Sequence, residues 1–229
     1  MDKRALHAAS YGVYIVTAEA SGKKAGCVIN TFVQVTSTPA RVTVALNKDN
    51  ATTAVVSESG RFEVALLAKD APMDLIGRFG FHTSTAVDKF ADTQWTADEH
   101  GVPYVSEHAV AHVGARVIDT VDVGTHLVFV GEVDDAEVLA DGEALTYAYY
   151  RQVKGGKTPP KASSYDADDS SAAPGIDAAR ASVPTGAVKT SKWRCQLCGY
   201  EVEVEGDELP PDFKCPLCGA GRDLFTRIA

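Results

Sequence analysis

Short runs in which apolar and β-branched residues dominate, or alternate with polar ones, recur along the first two thirds of the chain. Gly12–Thr17 is apolar and β-branched, and Arg41–Leu46 (RVTVAL) alternates cleanly. Phe62–Leu67, Val113–Val123, His126–Val133 and Tyr147–Val153 carry the same strand signature. Turn pairs such as Ser21-Gly22, Thr38-Pro39 and Asp141-Gly142 separate them. Helical signals are few. Asn50 can cap a helix that carries Val55 and Val56 and stops at Gly60. Asp70 can cap a second, with Pro72 in its first turn and Leu75, Ile76 and Phe79 as its buried stripe. Many strands with few helices predict a mainly β fold, a barrel or a sandwich, rather than a doubly wound sheet. No Gly-x-Gly-x-x-Gly follows a strand, which argues against a Rossmann nucleotide site.

The pattern breaks at Lys154. Residues 154–191 are rich in Gly, Pro, Ser, Ala and Asp and nearly devoid of large apolar side chains. Such a segment buries too little surface to offset its ordering entropy. As a flexible coil it would span roughly 30–37 Å. It therefore reads as a linker between a large domain, residues 1–153, and a small one, residues 192–229. Its first piece, Lys154–Tyr165, can pack on the large domain.

The small domain carries the sharpest chemistry in the chain. Cys195 and Cys198 form one C-x-x-C pair and Cys215 and Cys218 a second, with 16 residues between the pairs. Within a pair both thiolates can reach one ion. Two such loops facing each other close a sulfur tetrahedron, with bonds of about 2.3 Å for zinc. That geometry suits zinc or iron. Gly199 and Gly219 follow the pairs and permit the positive φ that turns backbone amides toward sulfur. A unit of about 38 residues cannot hold a sufficient core alone, so the ion also carries its fold. Cys27 stands apart and reads as a small buried hydrophobe. His100, His108 and His112 flank Gly101 and Pro103 and share no helix face, so a second metal site is not expected from them.

Charge and composition narrow the function. The formal net charge of −9, with no Lys/Arg cluster, excludes a nucleic-acid footprint. No run is long and apolar enough to span a membrane, and the N-terminus lacks the apolar core of a signal peptide. The expected compartment is the cytoplasm, where clustered thiols mean metal rather than disulfides.

Around the cysteines, Cys195-x-x-Cys-Gly-Tyr, Glu208-Leu-Pro-Pro-Asp-Phe and Cys215-Pro-Leu-Cys-Gly resemble rubredoxin, a one-iron electron carrier, over Lys192–Ile228. Trp193, Tyr200, Phe213 and Phe225 supply the aromatic core that the resemblance implies. The stretch between the pairs is shorter than in free-standing rubredoxins. The resemblance implies one iron on four cysteines, with zinc as the alternative. A tetrathiolate iron takes one electron, whereas NAD(P)H delivers a hydride. Flavin accepts the hydride and releases single electrons, so a flavin belongs between them.

The large domain carries matching motifs. Gly26-Cys-Val-Ile-Asn-Thr-Phe, Val35-Thr-Ser-Thr-Pro, Leu46-Asn-Lys-Asp-Asn-Ala-Thr, Gly60-Arg-Phe, Val87-Asp-Lys-Phe and Gly124-Thr-His, in this order, resemble the FMN-binding split β-barrel of flavin reductases and flavoredoxins over Leu6–Tyr150. With the rubredoxin-like domain, the whole chain resembles the high-molecular-weight rubredoxins. The resemblance implies FMN, with Val28, Ile29, Asn30 and Thr31 along the isoalloxazine. It implies Lys48, Asn50 and Thr52 at the phosphate, where a helix N-terminus favours an anion. It implies Lys89 near the flavin, and His126 as the catalytic residue on the face that nicotinamide approaches. The chain departs from the family at Thr83-Ser84-Thr85, where an arginine is usual, and at Thr125, where an aspartate is usual. The implied function is electron transfer from NAD(P)H through FMN and iron to a redox protein such as a flavodiiron oxygen or nitric oxide reductase, in a homodimer. Two other readings stay open: a reductase releasing free reduced flavin, and a non-enzymatic zinc-ribbon docking protein.

Overall fold

The computed structural model describes residues 6, 9–159, 161–165, 190–196, 200–215 and 220–228. The linker between 166 and 189, Cys198, Cys218, Gly199 and Gly219 lie outside the described residues. Seven strands form one antiparallel sheet in the order β2-β1-β5-β8-β9-β4-β3. They are β1 (Tyr14–Ala20), β2 (Lys23–Ile29), β3 (Val33–Ser37), β4 (Ala40–Asn47), β5 (Arg61–Leu67), β8 (Ala109–Asp122) and β9 (His126–Val138). A small hairpin, β6 (Trp95–Ala97) and β7 (Pro103–Val105), lies outside it. Two register shifts along the long β8–β9 pair, at Gly114/Ala115 and Val117/Asp119, bend the sheet as bulges do. The mainly β expectation and the strands at 41–46, 62–67, 113–123 and 126–133 agree with these elements.

The sheet encloses a core of Val16, Val44, Leu46, Phe62, Val64 and Phe129 on one face. Ile15, Leu67, Leu75, Ile76 and Phe79 form the core on the other. Each of these large side chains contributes about 1.5–3 kcal/mol by leaving water.

Helix α1 (Ala51–Ser59) starts and stops where the sequence predicts. Asn50 accepts a hydrogen bond from the Thr52 amide, and Gly60 ends the helix at φ 67°. Helix α2 (Met73–Phe81) buries Leu75, Ile76 and Phe79 as expected. Its cap is Pro72 rather than Asp70, and no side chain caps it. The clearest correction is Tyr147–Val153. The run folds as helix α3 (Tyr147–Gln152), not a strand. Thr146 caps it by accepting from the Tyr149 amide, and Tyr147 and Tyr150 stack one turn apart with centroids at 6.0 Å. Burial of Tyr150 in the core outweighs the strand propensity of the aromatic run.

The small domain is a three-stranded sheet of β10 (Thr190–Cys195), β11 (Glu201–Glu205) and β12 (Phe225–Arg227), in the order β11-β10-β12. No helix among the described residues is long and apolar enough to cross a membrane.

Candidate functional site: a cleft on the barrel and a cysteine-rich module

A cleft of about 640 Å³, including its solvent-facing mouth, opens where β2 and β4 end, beside the start of α1. Val28, Ile29, Asn30 and Thr31 form one wall, with Ala45–Asn47 behind them. Ile76, Gly80 and Phe81 of α2 face them, and Tyr147 and Tyr150 of α3 close the end. The chain beyond the barrel then crosses the opening. Lys157, Thr158, Pro159 and residues 161–164 line it as a strap.

Of the residues that the sequence singles out, Val28, Ile29, Asn30, Thr31, Asn50 and His126 line the cleft together. Asn30 is nearly buried. Its amide nitrogen donates to Ser164 Oγ at 3.1 Å, and its Oδ1 accepts from Ser163 Oγ at 3.2 Å. Thr31 Oγ1 donates to the Ala45 carbonyl and accepts from the Ala45 amide, which locks the exit of β2 onto β4. The other three stand outside the lining. Lys48 pairs with Asp122 at 2.6 Å on the surface. Thr52 is fully buried in the first turn of α1, and its Oγ1 has no hydrogen-bond partner among the described residues. Lys89 lies buried behind the α2 wall, donating to the Gly26 and Phe79 carbonyls at 2.7 and 3.0 Å.

Burial sets the charge states around the cleft. His126 is held below the usual histidine range chiefly by desolvation, with a hydrogen bond to the Lys161 backbone acting the other way. Thr125 Oγ1 lies 2.9 Å from His126 Nδ1, so the threonine touches the ring. Burial lowers Lys89 to about 8. Burial also pushes the Cys27 thiol up, which keeps this cleft-lining cysteine neutral. Cations at the opening are Lys157 and Lys161, the latter 3.3 Å from Asp49.

The sequence reading missed the two tyrosines and Phe81; it expected Lys154–Tyr165 to pack on the large domain, as it does, but not that this stretch lines the cleft. Thr146 as a cap, followed by tyrosines at i+1 and i+4, was the available signal for the first. Nothing local marks the strap, because its role depends on where α3 aims the chain.

In the small domain, Cys195 and Cys215 are both buried in a core with Leu209, Ala220 and Phe225. The two loops close alike. The Cys195 amide donates to the Tyr200 carbonyl and the Cys215 amide to the Ala220 carbonyl, both at 2.8 Å and both five residues on. This repeated turn fits a pair of C-x-x-C loops that face one ion. Trp193, Tyr200 and Phe213 pack around that core, with Phe213 edge-on to Phe225 at 5.2 Å. Met73 and Phe81, at the two ends of α2, pack against the same core. Phe81 thus touches both the cleft and the cysteine-rich module.

Comparisons with known proteins agree with both halves. Residues 6–156 match the family "Flavin reductase like domain", and residues 193–226 match "Rubrerythrin, rubredoxin-like domain". The chain is 39% identical to the "High molecular weight rubredoxin" of Moorella thermoacetica, with 100% of both chains covered. It is 50% identical to the "Ferric-chelate reductase (NAD(P)H)" of Archaeoglobus fulgidus over 72% of this chain and 98% of that one. Among solved structures, the NADH:FAD oxidoreductase of Streptomyces globisporus, solved with NAD and FAD fragments, is similar at a TM-score of 0.57 and 26% identity, over 63% of this chain and 84% of that one. The families imply a flavin and an iron. The residues present fit both: an apolar slot with an amide, two lysines and a helix N-terminus for the one, and paired cysteine loops for the other. The chain belongs to the high-molecular-weight rubredoxin family, oxidoreductases that join a flavin reductase-like domain to a rubredoxin-like domain.

Proposed function

We propose that the protein takes a hydride from NAD(P)H into FMN held in the barrel cleft. It then passes the electrons singly to iron on Cys195, Cys198, Cys215 and Cys218, and from there to a redox protein. The observation that carries this reading is the contact of α2 with both centres, since Phe81 lines the cleft and, with Met73, packs on the cysteine-rich core. FMN, when bound, supplies the conversion between two-electron and one-electron chemistry.

The chain's residues do the rest. Val28–Thr31 present backbone and amide groups to one edge of the slot, while Tyr147, Tyr150 and Ile76 keep its end apolar. Asn50 and the N-terminal end of α1, whose dipole favours an anion, would face the phosphate, with Lys157 and Lys161 adding charge. Lys48 and Thr52 act from just outside the lining, and Lys89 stiffens the join of β2 to α2. His126, uncharged at neutral pH, stands at the rim where nicotinamide would approach. Exposed Val33 and Val35 on edge strand β3, with Val121 and Val123 near the β8–β9 turn, support a homodimer. A flavodiiron protein in the cytoplasm is the acceptor favoured here.

A second reading has its own support in the 50% identity to a ferric-chelate reductase, a match that covers 98% of that protein and 72% of this chain. In it, the flavin domain reduces a ferric chelate directly and the cysteine-rich module is dispensable. The test is a spectrum of the anaerobically handled protein before and after NADH or NADPH. The proposal expects flavin and ferric-thiolate bands that both bleach. A protein whose ferric band persists while its flavin bleaches contradicts it. Ferric-chelate reduction that survives Cys215→Ser supports the second reading.

A further inference from the structure

A second cluster of polar groups is buried on the sheet, away from the cleft. Glu63 on β5, Gly114 on β8 and Asp135 on β9 sit side by side in register, and His112 is two residues before Gly114 on the same face. Glu63 is fully buried and His112 is 2% exposed. Glu63 Oε2 lies 3.0 Å from His112 Nδ1. Glu63 Oε1 is buried with no hydrogen-bond partner among the described residues. It lies over Gly114, where a Cβ would come within 2.2 Å of it. Only a residue without a side chain leaves that space. Tyr104 on β7 stacks flat on the His112 ring at 3.9 Å and 3°, which fixes the imidazole and shields it from water. None of these residues lines the cleft.

The charge balance of this cluster is incomplete. Burial, then the negative charges of Asp98 and Asp135, and a hydrogen bond between a protonated Glu63 and the Asp98 side chain push Glu63 up to about 9. The neighbouring Arg61 is engaged by Asp134 at 2.8 Å. A proton would satisfy one oxygen of Glu63. A divalent cation would satisfy Oε1, the Asp135 carboxylate and the imidazole at once. Ligand atoms of Glu63, His112 and Asp135 all lie within 4.8 Å of one another. Bonds of about 2.1 Å place ligand atoms about 3.0–4.2 Å apart, so a small contraction closes the group.

We propose that Glu63, His112 and Asp135 bind one divalent cation of the class that accepts a single imidazole with carboxylates, such as Mn²⁺ or Zn²⁺. The ion pins β5, β8 and β9 together beneath the β6–β7 hairpin. The histidine pattern gave no hint of this, because the partners of His112 are carboxylates on neighbouring strands rather than other histidines.

The test uses the full-length, iron-loaded protein, so that the cysteine site is occupied, and Mn²⁺ as the probe. Electron paramagnetic resonance titration should count one bound Mn²⁺ per chain, and Mn²⁺ should raise the melting temperature. Asp135→Asn and Glu63→Gln should each weaken binding ten-fold or more. Asp135 is partly exposed, so its variant keeps the test valid should Glu63→Gln fail to fold. Absence of bound Mn²⁺ at millimolar concentration, or unchanged binding in Asp135→Asn, overturns the proposal. So does a Glu63→Gln variant that melts above the parent while Mn²⁺ affects neither, since Glu63 then simply carries a proton.

Discussion

Asn30 and Ser164, 134 residues apart in the chain, meet at the rim of the cleft, where the Asn30 amide donates to the Ser164 hydroxyl at 3.1 Å. Ser163 holds the other end of the same amide. The strap between α3 and the linker therefore sets the orientation of a residue on the proposed flavin edge. One such hydrogen bond is worth about 1 kcal/mol. Ser164→Ala should weaken FMN binding about five-fold, measured by fluorescence titration of the apoprotein, and leave the iron content unchanged.

The α2 contact predicts a kinetic separation. Met73 touches the cysteine-rich core but does not line the cleft. Met73→Ala should slow flavin-to-iron transfer several-fold and leave flavin reduction by NAD(P)H as it is. Equal slowing of both steps would mean that the residue acts only through the fold.

Lys89 predicts a pH dependence of stability. Its pKa falls from an ordinary 10.5 to about 8 because burial disfavours the charged form. Below pH 8 the folded state carries that burdened charge. Between pH 8 and 10.5 the unfolded chain holds a proton that the folded chain has lost, so stability rises with pH. Above 10.5 the gain is complete, at most about 3 kcal/mol. The melting temperature of the parent relative to Lys89→Met should shift in the parent's favour across this window and stay constant outside it.

Removal of the metal predicts a local collapse. The core around Cys195 and Cys215 is too small to stand without its ion. Chelation, or Cys195→Ser, should abolish the near-ultraviolet signal of Trp193 and its neighbours. The melting temperature of the flavin-loaded barrel should stay the same.

Much of this was legible in the chain. The strands, the Asn50 and Gly60 ends of α1 and the buried stripe of α2 follow from local alternation and capping, which depend on near neighbours. The cysteine module was legible from the spacing of its pairs and the motifs around them. Tyr147–Val153 was misread because its strand propensity is overruled by burial of Tyr150. The contact of Ser163 and Ser164 with Asn30, within a stretch expected only to pack on the large domain, and the Glu63–His112–Asp135 cluster were invisible for a different reason. Each brings together residues that only the sheet register or the exit of α3 makes neighbours. Lys48 and Thr52 fall outside the lining of the cleft, a distinction that motif order does not carry.

The account rests on electrons moving from flavin to iron within one protein. Anaerobic stopped-flow mixing of the full-length protein with NADPH, and separately NADH, should bleach the flavin first and the ferric-thiolate band second, with a second phase whose rate is independent of protein concentration. A ferric band that stays oxidised, or that bleaches only in proportion to added free flavin, would contradict it.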